Sequence, residues 1–140
     1  MKLSTRSRYG TRMLLDIADH GGNGPVSVSD ISGRLGVSVK YLEQLIRPLK
    51  KAQYVKSSRG PKGGHQLAKS PEEISVGEIV RLLEGGINLT ECIVDNELCT
   101  RSMDCPTRRV WAEATRAMTG ILDSITLAEL SQGDCKVIDN

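Results

Sequence analysis

Ser27, Gly36 and Ser38 punctuate one stretch of the chain so closely that it can form little other than two short helices around a tight turn. Ser27-Val28-Ser29-Asp30 is a helix start, with Ser27 as N-cap and Asp30 at the third helical position in place of the usual Glu or Gln. The short helix that follows would bury Ile31 and Leu35. Gly36 suits the left-handed position that ends a helix. Ser38 can then cap a second helix from Val39 to about Ala52, whose apolar face is Val39, Leu42, Ile46 and Leu49. Pro48 lacks a backbone donor and crowds the carbonyl four residues back, so a bend or an early end is expected there. Two short helices joined by a Gly-containing turn make a helix-turn-helix, a pattern shared by many helical pairs that touch no nucleic acid.

What flanks the pair narrows the reading. Residues 6–20 place Tyr9, Met13, Leu14, Ile17 and Ala18 on one helical face, and Gly21-Gly22-Asn23-Gly24-Pro25 breaks that helix. Residues 54–58 and 65–68 read as two short strands around the basic, Gly-rich turn Arg59-Gly60-Pro61-Lys62-Gly63-Gly64. A helix-turn-helix followed by a basic hairpin is a winged helix. Ser75 and Glu78 form a capping-box pattern for a helix carrying Ile79, Val80, Leu82 and Leu83, which stops at Gly85-Gly86. Residues 87–105 show no clean period and read as a loop. Pro106 is well placed to open another helix, along which Trp111, Ala114, Met118, Ile121 and Ile125 step as a heptad seam. A plain core helix competes with a dimer helix for that pattern, because the seam is short; its polar surroundings favour the dimer. The expected fold is therefore mainly α with a small two-stranded β wing: a winged helix-turn-helix plus a long C-terminal dimerisation helix. The expected organisation is a DNA-binding domain over 1–85, a cysteine loop over 86–105, the dimerisation helix and a short terminal helix over 106–130, and a tail over 131–140.

Charge divides along the same line. Residues 1–70 hold thirteen Lys/Arg against four Asp/Glu, whereas residues 71–140 hold six against thirteen. A polyanion is drawn to the first half and repelled by the second. No apolar stretch is long enough for a membrane span, and the N-terminus lacks the apolar region of a secretory signal. A cytoplasmic location with no membrane partner is the expectation, and there clustered cysteines are reduced.

In the second half, Cys92, Cys99 and Cys105 are spaced C-x6-C-x5-C. Thiolates are soft ligands that hold iron–sulfur clusters. Zinc loops usually pair cysteines more closely than this. Cys105 precedes a predicted helix and neighbours Arg108 and Arg109; helix dipole and guanidinium charge both favour its thiolate. Switching by disulfide formation is the other use such thiols have. Cys135 stands apart as a spare thiol. Nucleophilic catalysis by Cys105 would need a positioned base, and neither His20 nor His65 is near in sequence, so no enzyme is expected.

Recognition of double-stranded DNA needs phosphate contacts for position and base contacts for specificity. Ser38, Lys40, Tyr41 and Gln44 lie on the polar face of the second helix at its N-terminal end, the end inserted into a major groove. Gln44 could pair bidentately with adenine, Ser38 and Tyr41 could hold phosphates, and Lys40 could take a phosphate or guanine. Glu43 opposes phosphate on this face and could accept from a cytosine amine. In the wing, Arg59 with Lys62 in support can enter a minor groove.

Tyr41-Leu42-Glu43-Gln44-Leu45, Ser58-Arg59-Gly60-Pro61-Lys62-Gly63-Gly64, Val76-Gly77-Glu78-Ile79, the cysteine loop and Ile125-Thr126-Leu127-Ala128-Glu129-Leu130, in this order, resemble the IscR/NsrR/CymR family of bacterial winged-helix transcription regulators. The likeness is greatest to its iron–sulfur branch, that of IscR. It implies a homodimeric repressor whose loop holds an iron–sulfur cluster, 2Fe–2S or in some members 4Fe–4S, through Cys92, Cys99 and Cys105. The chain departs from the pattern where a His ligand is expected: Arg108 stands there, and a guanidinium has no lone pair for a metal. The fourth ligand is left open among Asp95, Glu97 and Asp104, with His20 and His65 less suited. A cluster-free regulator of the same fold, controlled by thiol oxidation or a partner protein as in the CymR branch, is the alternative.

Overall fold

Three helices open the chain: α1 (Thr5–His20), α2 (Val28–Leu35) and α3 (Val39–Lys51). The computed structural model describes residues 2–133, so Cys135 and most of the expected tail lie outside the described residues. Both serine caps form: the Ser27 hydroxyl accepts from the Asp30 N–H at 3.1 Å, and the Ser38 hydroxyl accepts from the Tyr41 N–H at 3.2 Å. Between them Gly36 takes φ 66° and ψ 33°, a conformation in which a Cβ would crowd the backbone. The helix-turn-helix is thus set by local chemistry before any packing is considered.

Two expectations about α3 are corrected. Val39 is 36% exposed, and Leu45 takes its place on a buried face of Leu42, Leu45, Ile46 and Leu49. As the first helical residue, Val39 stands ahead of the packed face, and Val37 from the turn reaches the core instead. The helix also continues through Pro48 to Lys51. Pro48 forfeits only its own donor; its carbonyl still accepts from the Ala52 N–H at 3.0 Å, so the ladder resumes after it.

Strands β1 (Val55–Ser58) and β2 (Gly64–Leu67) pair antiparallel, with Val55 opposite Leu67 and Ser58 opposite Gly64. The limits differ from the expected 54–58 and 65–68 because Gly64, read as turn, belongs to the ladder. A backbone bridge ties the hairpin to the body: the Val26 N–H donates to the His65 carbonyl at 2.9 Å, and the His65 N–H to the Val26 carbonyl at 2.8 Å. The approach is so close that a Cβ on residue 64 would lie 2.4 Å from the Val26 oxygen.

Helix α4 (Val76–Glu84) begins with the expected capping box, in which the Glu78 N–H donates to the Ser75 hydroxyl and the Ser75 N–H to the Glu78 carboxylate. Helix α5 (Pro106–Asp123) follows the cysteine segment, and α6 (Leu127–Gln132) ends the described chain. α6 folds back on the N-terminal body. Its entry is stitched to the residues before α4 by Val76 N–H to Ile125 O at 2.8 Å and Leu127 N–H to Ile74 O at 2.9 Å. Leu127 is fully buried beside Met13, Leu14, Ile31, Leu42, Leu49 and Ile79 in one core. α5 contributes nothing comparable: Thr115 is its only buried residue, and Trp111 and Ile121 are 43% and 56% exposed. The plain core-helix reading of the seam therefore fails for the single chain.

Candidate nucleic-acid interface and thiol loop

The outward face of α3 carries Ser38, Lys40, Glu43, Gln44 and Arg47, all exposed. They are outward because Leu42, Leu45, Ile46 and Leu49 are pinned inward against α1 and α2. Tyr41 is placed differently from these. It is half-buried, its ring meets Tyr9 of α1 edge-on at 6.0 Å, and its hydroxyl is enclosed without a hydrogen-bond partner. Phosphate contact by that hydroxyl needs a shift of the ring.

At the wing tip Gly60, with φ 105°, lets the Gly63 N–H close onto the Gly60 carbonyl at 2.9 Å. That turn leaves Arg59 and Lys62 exposed. Below it, His65 Nδ1 lies 2.8 Å from the Ser57 hydroxyl. Burial and then the Lys50 charge hold the His65 pKa below its ordinary value. His65 is thus engaged in the wing hairpin, and His20 at the end of α1 lies 2.9 Å from the Asp16 carbonyl.

The cysteine segment is more ordered than an aperiodic loop. It contains two short 3-10 turns, Glu91–Ile93 and Asn96–Leu98, and buries Ile87 and Ser102. Ser102 donates its hydroxyl to the Asn96 carbonyl at 2.8 Å, and the Leu89 N–H donates to Thr115 of α5 at 3.3 Å. The connection that spans the segment is Arg108. Its Nε–H donates to the Cys92 carbonyl at 2.8 Å, and its terminal nitrogen bonds the Asn96 side-chain oxygen. Sequence reasoning ruled Arg108 out as a ligand but had no signal for these bonds, which only the return of the loop onto α5 creates.

Cys92 and Cys105 are partly exposed and Cys99 is exposed; all three are free thiols. The Thr90 hydroxyl is 3.3 Å from the Cys92 sulfur, and the Thr107 hydroxyl 3.2 Å from that of Cys105. The Cys105 pKa is lowered, first by the Thr107 hydroxyl, then by the Arg108 backbone N–H, with the Arg108 charge a lesser cause. The shift has the expected sign; its main source is a neighbouring hydroxyl. As donors, the thiols fit a sulfur-ligated iron group. Among the described residues, however, no three Cys, His, Asp or Glu side chains converge where a metal could be held. The Asp95 carboxylate caps a turn by accepting from the Glu97 N–H at 2.8 Å, and Glu97 and Asp104 are exposed. The chain thus supplies the chemistry of three ligands, and their convergence needs a change in the loop.

Loop and reader are mechanically adjacent. Glu84, the last residue of α4 before Gly85-Gly86, accepts from the Ser4 N–H at 2.9 Å, the Ser4 hydroxyl at 2.8 Å and the Ser7 hydroxyl. These donors belong to the start of α1, whose Tyr9 touches Tyr41 of α3. One turn earlier on α4, Arg81 holds Asp123, the last residue of α5, through bonds of 3.2 and 2.6 Å. The Glu84 cluster also escaped the sequence reading, since its members are brought together only by the packing of α1 on α4.

Comparison with known proteins agrees with this geometry. The profile of the Rrf2 family, described as iron-dependent transcriptional regulator, matches residues 3–133. The protein named rrf2 from Nitratidesulfovibrio vulgaris is 55% identical over 130 residues, which cover 93% of this chain and 87% of that protein. Among solved structures, CymR, the global cysteine regulator of B. subtilis, superposes with a TM-score of 0.81 at 37% identity, covering 95% of this chain and 98% of that one. IscR of T. potens superposes with a TM-score of 0.78 at 38% identity, covering all of this chain and 94% of that one.

Proposed function

The chain belongs to the Rrf2 family of transcriptional regulators, and from that premise we propose that it is a homodimeric repressor, acting in the cytoplasm, whose grip on double-stranded DNA responds to an iron–sulfur cluster. The observation that carries the reading is an ordered, three-thiol segment that leaves the winged helix directly after Glu84, the α4 carboxylate that holds the start of α1. Among the described residues no helix is long and apolar enough to cross a membrane.

Each part has its residues. Ser38, Lys40 and Gln44 would enter the major groove from the start of α3, with Tyr41 joining them once its ring swings off Tyr9. Arg59 and Lys62 would take the adjacent minor groove. Cys92, Cys99 and Cys105 would hold the cluster, 2Fe–2S being the favoured form, and the bound group would supply a one-electron redox centre. The chain's part in the response is mechanical. Drawing Cys92 and Cys99 toward Cys105 disturbs the bonds of Arg108 and the seating of Glu84, and Glu84 sets the start of α1. Of the expected seam, Trp111, Ala114 and Ile121 are exposed, Met118 is half-buried, and Ile125 is half-buried beyond the end of α5; the exposed members would be covered by the same face of a second copy.

A specific observation favours a second reading. Arg108, which cannot ligate a metal, stands where a fourth ligand is expected and is bonded to the Cys92 carbonyl, and one similar structure is that of a cysteine regulator, CymR. In that reading the same thiols report oxidation, or a partner protein, without a cluster. Anaerobic reconstitution with iron and sulfide separates the two. The proposal expects visible absorbance that is lost in the Cys92→Ala, Cys99→Ala, Cys105→Ala variant, together with a change in DNA affinity on loading. A spectrum retained by that variant removes these residues as ligands, and identical affinity of loaded, empty and oxidised protein removes the regulatory claim.

A further inference from the structure

Between the first turn of α1 and the outward face of α3 lies a cleft of about 480 Å³, lined by Arg6, Tyr41, Gln44, Leu45 and Arg47. Two of its walls are guanidinium groups and none is a carboxylate. Among the described residues neither Arg6 nor Arg47 is in a salt bridge, although the Arg6 charge is felt at Glu84. Tyr41 adds an enclosed O–H without a partner, a state that costs free energy until an acceptor arrives. An anion is the ligand that satisfies all three groups.

The position of the cleft identifies the anion. Arg47 follows Gln44 by one helical turn, so it lies beside the base-reading position and farther from the N-terminal end that enters the groove. Arg6 comes to the same place from a different helix. With Gln44 at base edges, the group beside it is the sugar–phosphate strand bordering the groove. A forked guanidinium matches phosphate oxygens better than an ammonium would.

We propose that this cleft seats one DNA backbone phosphate between Arg6 and Arg47, with the Tyr41 hydroxyl joining as a neutral donor once its ring has swung off Tyr9. The seat rests on the DNA-binding reading above. It fixes how far α3 can enter the groove, on the side that the wing does not hold, and it draws α1 into the interface. The start of α1 is also where Glu84 is bonded, one residue before the Gly85-Gly86 break that leads into the thiol segment.

The test uses the full-length protein and a labelled duplex selected by the wild type from a random pool. Anisotropy titrations across salt give the slope of log K against log salt. Arg6→Gln and Arg47→Gln should each weaken binding roughly tenfold or more on selected and scrambled duplexes alike. The double variant should shed one phosphate's worth of slope, about 0.9, rather than two. Lysine at either position should retain most of the slope, which separates loss of charge from loss of fold. Scanning the duplex with single neutral methylphosphonate linkages should find one linkage per half-site at which wild type and Arg47→Gln bind equally. Unchanged slopes, additive losses corresponding to two phosphates, or no such linkage overturns the seat while leaving DNA binding intact. Failure of the wild type to bind any duplex overturns the underlying reading and the seat with it.

Discussion

Replacing Arg108 by Ala isolates the element that holds the thiol segment together in metal-free, reduced protein. The Nε–H bond to the Cys92 carbonyl is short, at 2.8 Å, and partly buried. A hydrogen bond from a charged donor contributes about 1.5–3 kcal/mol. The second bond, to the Asn96 side chain, is exposed and adds little beyond it. Among the described residues no other side-chain hydrogen bond joins the Cys92 turn to the start of α5, so most of this energy is lost from the local opening equilibrium rather than from global stability. At 1.4 kcal/mol per tenfold, opening of residues 91–98 should rise roughly 10- to 100-fold. Two measurements read it: amide hydrogen exchange of that segment by mass spectrometry, and the alkylation rate of Cys92. Cys99, already exposed, serves as the internal control and should react at its wild-type rate. Arg108→Lys can keep one bond at most and should fall between. Exchange and Cys92 alkylation within about threefold of wild type, with the fold intact, would refute the idea that this guanidinium orders the segment.

Three further outcomes follow from the packing. Trp111→Glu with Ile121→Glu places carboxylates on the exposed seam of α5, so sedimentation equilibrium should show the dissociation constant of the homodimer rising more than roughly a hundredfold, while far-UV circular dichroism stays unchanged. The Ser7 hydroxyl first, and then the Ser4 hydroxyl and N–H, hold the Glu84 carboxyl below its ordinary pKa. A depressed folded value contributes stability above the unfolded pKa of about 4.3 and loses it as pH falls through the folded value; Glu84→Gln should therefore lose less stability than wild type in urea unfolding series run from pH 5 down to about pH 3. Gln53, between α3 and β1, holds φ 62°, so Gln53→Gly should raise the urea midpoint by an amount equivalent to as much as 1 kcal/mol, roughly, because the left-handed strain exceeds the entropy glycine adds to the unfolded chain.

The helix-turn-helix was legible because its signals are local. A hydroxyl three residues before an amide, and a glycine where φ must turn positive, act on the backbone beside them, and Ser27, Gly36, Ser38 and the Ser75–Glu78 box all behave as their sequence spacing requires. The wing followed for the same reason, with only its limits displaced where Gly64 pairs with Ser58 in the ladder. Val39 shows the limit of periodicity: helical spacing assigns a face, but only the neighbouring elements decide how far along the helix that face is covered.

What the amino-acid order determined by itself was the set of caps, turns and thiols, together with the separation of basic reader from acidic segment. The tertiary structure decided which distant groups meet. It brought Glu84 onto Ser4 and Ser7, Arg108 onto Cys92, and Arg6 beside Arg47, and it left the α5 seam bare. Capping energies act within one helical turn and are written in adjacent letters. A bond between residues 80 positions apart, such as that from Ser4 to Glu84, has no partner in the sequence until the burial of Met13, Leu14 and Leu83 has brought α1 against α4.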